Sequence, residues 1–157
     1  MRSAVGRAAL ILLGCSLAVV AIASALGGTQ ARGGVHHVCS AADRQFLSTA
    51  ASNLVQLRFW SQQLSSGDAT RQLVRHQSLA EAGQVAATRP LDSTLLGVRG
   101  LLAGMLAEYG NSLGGTAGAA HLHRSWRLAG EARALLLDAR PELLAAGCDP
   151  TPLLVAN

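Results

Sequence analysis

The sequence predicts an all-α fold: an antiparallel four-helix, up-down-up-down bundle with one disulfide joining its ends, preceded by an N-terminal signal or anchor helix. Three observations point there. Half of the 157 residues are apolar but only 3% are aromatic, so the core must come from Leu, Ala and Val. Leu and Ala rank high for helix, and β-branched residues are sparse. Apolar residues recur every three to four positions in four stretches separated by Gly, Pro and Ser-Gly-Asp breaks. Finally, Cys39 and Cys148 stand at the two ends of that helical region.

The chain opens with Arg2 and Arg7, followed by an uncharged run, AALILLGCSLAVVAIASAL, over 8–26. A positive start and an apolar run ending in small residues is the secretory pattern. The run is also nearly the ~20 residues that span a bilayer, so a retained anchor fits as well. A third reading takes Leu12-Leu13-Gly14-Cys15 as a lipid-attachment box, against which the apolar run continues well past Cys15. Residues 1–31 are therefore expected to be a signal peptide or signal anchor with a flexible spacer, 39–148 the bundle, and 149–157 a C-terminal tail. All three readings send the domain out of the cytoplasm, either secreted or attached to the outer face of the membrane. Outside the cytoplasm, the two remaining cysteines are expected to bridge.

The first helix is expected from Ser40 to about Leu64. Ser40-Ala41-Ala42-Asp43 resembles a capping box, and Phe46, Ala50, Leu54, Leu57, Trp60 and Leu64 form its inner face. Ser65-Ser66-Gly67-Asp68 breaks it. The second helix, about 69–88, is weakly apolar, with an expected inner face of Leu73, His76, Ala80, Gly83 and Ala87. A turn at Arg89-Pro90-Leu91-Asp92 leads into the third, 93–113, with Asp92 as its N-cap. The fourth starts near Ala119 and continues to Ala139, after which Pro141 starts a short last turn ended by Gly147. Short connections make sequential helices antiparallel. An even number of helices returns Cys148 to the pole where Cys39 starts.

The third helix carries Leu95, Val98, Leu102, Met105 and Tyr109 on one stripe, with Leu96, Leu101 and Leu106 extending apolar character around the cylinder. Such a helix is expected to be buried on most sides. Gly97, Gly100 and Gly104 lie opposite the stripe, and each interior Gly costs about 0.5–1 kcal/mol relative to Ala. They therefore imply close helix packing, with the Ala80–Gly83–Ala87 seam as the expected partner; a second subunit is the alternative.

Function is less legible. The formal charge of +4 carries no Lys, and part of it is Arg2 and Arg7 in the export segment. No clustered basic face suggests nucleic acid. Arg133 falls among apolar positions of the fourth helix and would need a carboxylate if buried, with Glu108 the candidate partner. His36-His37 beside Cys39 reads as a solvated pair. Gly110-Asn111-Ser112-Leu113-Gly114 fits Gly-x-Ser-x-Gly, but the nucleophile elbow needs a strand before the serine, and a helix is expected there. No metal-ligand spacing, haem-attachment or phosphate-loop motif occurs, so neither a catalytic nor a metal site is assigned.

The leading reading is thus a non-enzymatic envelope or secreted interaction module. Its partner would be an envelope protein or a second copy, with membrane contact through the N-terminal segment if that is uncleaved. The alternative is a small-ligand carrier, for haem or a metal, with a pocket in the bundle core lined by His76, Met105, Tyr109 and His121. In outline, an exported helical domain with a cysteine near each end is similar to mycobacterial haem carriers; no motif of theirs is matched residue by residue.

Overall fold

The structure, a computed structural model, describes residues 38–156. The export segment assigned to residues 1–31, Cys15 and the His36-His37 pair lie outside the described residues. The described chain is all helical: α1 (Ala41–Ser66), α2 (Arg71–Ala87), α3 (Ser93–Ser112), α4 (Gly118–Ala145) and α5 (Thr151–Val155).

Local chemistry sets the boundaries. The capping box at α1 is formed in both directions: the Asp43 backbone N–H donates to Ser40 Oγ at 3.0 Å and the Ser40 backbone N–H to Asp43 Oδ2 at 3.0 Å. Asp92 caps α3 by accepting the Leu95 N–H at 2.9 Å. Gly67 (φ 86°) and Gly147 (φ 84°) end α1 and α4 in the left-handed region. At the second, the N–H of Cys148 donates to the Leu143 carbonyl at 2.8 Å and that of Gly147 to Leu144 at 3.0 Å. This paired motif satisfies carbonyls that the helix end would otherwise orphan.

Two boundaries differ from the sequence reading. Pro141 lies inside α4, which runs on to Ala145. The carbonyl left without a donor by Pro141 is that of Leu137, and both residues are exposed, so the break faces solvent and the helix continues past it. The expected tail contains α5, whose Leu153 is buried against the core.

α3 is the centre of the assembly, packing on α1, α2 and α4. Among the described residues the backbones of α1 and α4 stay apart, and α5 packs on both. The Cys39–Cys148 disulfide, with Cα atoms 5.1 Å apart, joins their ends, and beside it the Cys39 N–H donates to the Ala146 carbonyl at 2.8 Å. α3 runs antiparallel to α4, as Gly97 faces Leu135 and Gly104 faces Leu128. The core comprises Phe46, Leu47, Ala50 and Leu54 of α1, Ala82 and Val85 of α2, Leu95, Val98, Leu102, Met105 and Leu106 of α3, and Ala132, Leu136 and Leu143 of α4.

Two helix faces are corrected. α2 buries Val74, Ser78, Glu81, Ala82 and Val85, the side opposite to Leu73, His76, Ala80, Gly83 and Ala87, all of which are exposed. The glycines of α3 accordingly do not meet that seam. A β-carbon on Gly97 or Gly104 would lie 3.3 Å from Leu135 or Leu128 of α4, whereas Gly100 has nothing within 4 Å. α3 approaches α2 at Gly110 instead, where a β-carbon would meet Leu79 at 3.1 Å and the Arg75 carbonyl at 3.3 Å.

Candidate functional site

α4 turns three different sides to its surroundings. Ser125, Ala132, Leu136 and Leu143 are buried. The small residues let the helix come close to α3, so that Ser125 Oγ donates to the Met105 carbonyl at 3.0 Å. A second side carries Arg127, Glu131, Asp138 and Glu142, all exposed, with Arg127 and Glu131 3.9 Å apart. The third side is unusual. Trp126, Arg133, Leu137, Arg140 and Leu144 are spaced by 7, 4, 3 and 4 residues, which sets them on one line along the helix. At 1.5 Å per residue the line is about 27 Å long. Trp126 is 66% exposed, Leu137 47% and Leu144 45%.

Arg133 falls among apolar positions in the sequence, as does Trp126, yet neither is on the inward side. Ser125 and Ala132, one position earlier in each case, occupy those inward places, and the rotation carries Trp126 and Arg133 outside. The expected Glu108–Arg133 pair is therefore not formed: Arg133 is exposed and donates to the Leu154 carbonyl of α5 at 3.4 Å.

Glu108 pairs elsewhere. Its Oε2 lies 2.7 Å from His121 Nδ1 and accepts from Arg124 Nε at 3.0 Å. Arg124 Nη2 also lies 2.7 Å from His121 Nδ1. That nitrogen has either one proton or one lone pair, so it serves Glu108 or Arg124 at a given moment, not both. The His121 hydrogen bond holds the Glu108 carboxyl below the usual carboxylate range, against a smaller upward push from burial, and Arg124 adds to the lowering. All three side chains are partly exposed, and the group fastens α3 to the first turns of α4.

His76 lies on the exposed side of α2, and Met105 is in the core. The Tyr109 hydroxyl is hydrogen-bonded to Ser61 of α1 at 2.8 Å. Ser112 is the last residue of α3 and its hydroxyl donates to the Tyr109 carbonyl at 2.6 Å. A helix precedes it, so the strand-turn-helix context of a nucleophile elbow is missing.

Two buried carboxyl groups were not anticipated. Asp43 is fully buried beside the disulfide. Its Oδ1 accepts the N–H groups of Leu91 at 2.7 Å and Asp92 at 3.0 Å, while Oδ2 takes both Ser40 donors. One ligand atom each from Cys39, Asp43 and Cys148 lies within 4.8 Å of the others. Both sulfurs are committed to the disulfide and both carboxylate oxygens to hydrogen bonds, so the trio reads as a structural clamp.

Glu81, 2% exposed on the packed side of α2, has no hydrogen-bond partner for either carboxyl oxygen among the described residues. Desolvation pushes its carboxyl up to about 7. Its backbone carbonyl accepts Asn53 Nδ2 of α1 at 3.3 Å.

The chain matches no known family model, no curated protein and no solved structure. Its function must therefore be argued from its own surface. Shorter exposed apolar groups lie at Val55 and Phe59 of α1 and at Leu73 and Leu79 of α2, while among the described residues the third side of α4 presents a tryptophan, two leucines and two arginines to solvent in register. The signal for it was present as an i, i+7, i+11, i+14, i+18 spacing. It was masked because Trp and Leu at helical spacing are ordinarily core.

Proposed function

We propose that this chain is an exported, non-enzymatic interaction module that works by contact through the outer side of α4. In this reading its helices form an up-down-up-down bundle behind an N-terminal signal or anchor segment. The observation that carries the reading is the line from Trp126 to Leu144. A solvated helix face has no use for a tryptophan and two leucines in register, and burial of such groups is what drives association. The disulfide is compatible with an extracytoplasmic location. No helix among the described residues is long and apolar enough to cross a membrane, so contact by a helix side, not insertion of a spanning helix, is the mode proposed for this domain.

Oxidative footprinting of Trp126 tests the reading, comparing purified protein with the native envelope fraction. Strong protection of Trp126 in the envelope is expected, with Val55 and Phe59 on the exposed side of α1 as internal references. Equal modification of Trp126 in both samples would defeat it.

A further inference from the structure

We infer that the partner of the α4 line is the surface of an anionic lipid bilayer, on which α4 lies flat. The inference rests on the contact reading above and adds the occupant.

Charge and shape together select it. Arg133 and Arg140 flank Leu137 on the line. The acidic residues of the outer surface of α4, Glu131, Asp138 and Glu142, all fall on the opposite flank by helical spacing. α4 itself places no carboxylate in the line. Asp149, just after α4, has its carboxyl held low by Thr151 and also by Arg140, so the line is apolar with its unpaired cationic excess at Arg133. An in-plane helix binds membrane with this combination: Trp and Leu side chains enter the headgroup boundary, and Arg side chains meet phosphate. The guanidinium fork matches phosphate oxygens in geometry as well as sign. Arg133 already reaches the Leu154 carbonyl, which sets the end of α5 at the edge of the line, and Val155 there is 71% exposed.

A second copy suits the line less well. Two-fold pairing of one line with itself would bring the arginines of both copies into one contact to which α4 supplies no carboxylate, and like charges so placed oppose association. A soluble anion would use the arginines and leave Trp126, Leu137 and Leu144 in water. A bilayer of anionic lipid satisfies both parts at once.

The test uses the full chain with Trp60→Phe, which leaves Trp126 as the sole tryptophan. The protein is reconstituted with vesicles of phosphatidylglycerol or of phosphatidylcholine carrying brominated acyl chains. An N-terminal anchor, if retained, holds the chain to both vesicles alike, so the difference between them reports on α4. Trp126 emission is expected to shift to the blue and to be quenched in phosphatidylglycerol only. Arg133→Gln with Arg140→Gln should reduce quenching to the phosphatidylcholine level, with the far-ultraviolet circular dichroism unchanged because both positions are exposed. No quenching in phosphatidylglycerol, or equal quenching in both lipids or in the double variant, overturns the inference. A blue shift that depends on protein concentration without vesicles overturns it in favour of self-association. Protection of Trp126 in the envelope without quenching in phosphatidylglycerol overturns it too, yet leaves the contact reading standing with a protein as partner.

Discussion

Asp43 accepts the backbone N–H of Leu91 at 2.7 Å across 48 residues of chain. One carboxylate thereby ties the start of α1 to the turn between α2 and α3, next to the disulfide. Burial pushes this carboxyl upward, but the N–H groups of Asp92, Ser40 and Leu91 and the Ser40 hydroxyl outweigh it and hold it below its usual value.

Replacing Asp43 should accordingly be among the more damaging single changes. Asp43→Ala strands the N–H groups of Leu91, Asp92 and Ser40, and a loss of about 3 kcal/mol is expected in urea unfolding. Asp43→Asn, which keeps an acceptor for Leu91 and Asp92, should lose less. Because the folded carboxyl is the stronger acid, its contribution is complete above the unfolded value of about 3.8 and disappears as pH falls below it. Acid unfolding of Asp43→Ala should lack that component.

Glu81 has the opposite sign. Folding raises its carboxyl to about 7 from an ordinary value of 4.5, so the folded state holds the proton more tightly than the unfolded state. Its contribution is fully retained below about pH 4.5 and declines as pH rises through 7, by about 3 kcal/mol at most. Thermal unfolding of the native chain should therefore shift downward between pH 5 and 8. Glu81→Gln, which cannot ionise, should remove this part of the slope; an unaltered slope would refute the assignment.

The glycines of α3 separate by their surroundings. Gly100→Ala has open space within 4 Å and should stabilise by about 0.5–1 kcal/mol through helix propensity alone. Gly110→Ala drives a methyl against Leu79 and the Arg75 backbone and should destabilise by about 1–3 kcal/mol. Gly104→Ala, against the mobile end of Leu128, should fall between them. Matching chemical denaturation midpoints for all three would sink this reading of helix approach.

The disulfide closes a sequence separation of 109 residues, for which the loop-entropy model gives about 4.7 kcal/mol as an upper figure. Reduction, or Cys39→Ala with Cys148→Ala, is expected to lower the melting temperature clearly. An unchanged midpoint would mean that the Asp43 clamp and α5 hold the pole without it.

Much of the helical layout was legible because its punctuation is local. Ser40 with Asp43, Asp92, Gly67 and Gly147 act within one turn of themselves, and the stripe from Leu95 to Met105 repeats cleanly. The orientation of α2 was not legible. Its buried side places Ser78 and Glu81 between Val74 and Val85, so polarity pointed outward where packing points inward. In α4 the reverse holds: Ser125 and Ala132 face α3 because small residues permit close approach, and Trp126 is left outside. Pair choice also depends on register, which explains why Glu108 meets His121 and Arg124 across α3 and α4 while Arg133, further along α4, reaches α5.

The link between Cys39 and Cys148 makes most of the described chain a covalent ring. A ring opened once is still one molecule. A single proteolytic nick at an exposed turn such as Gly67-Asp68 or Gly115-Thr116 would produce no separable fragment until the bridge was reduced. In a compartment rich in proteases, α4 would stay tethered to the rest of the fold after the first cut.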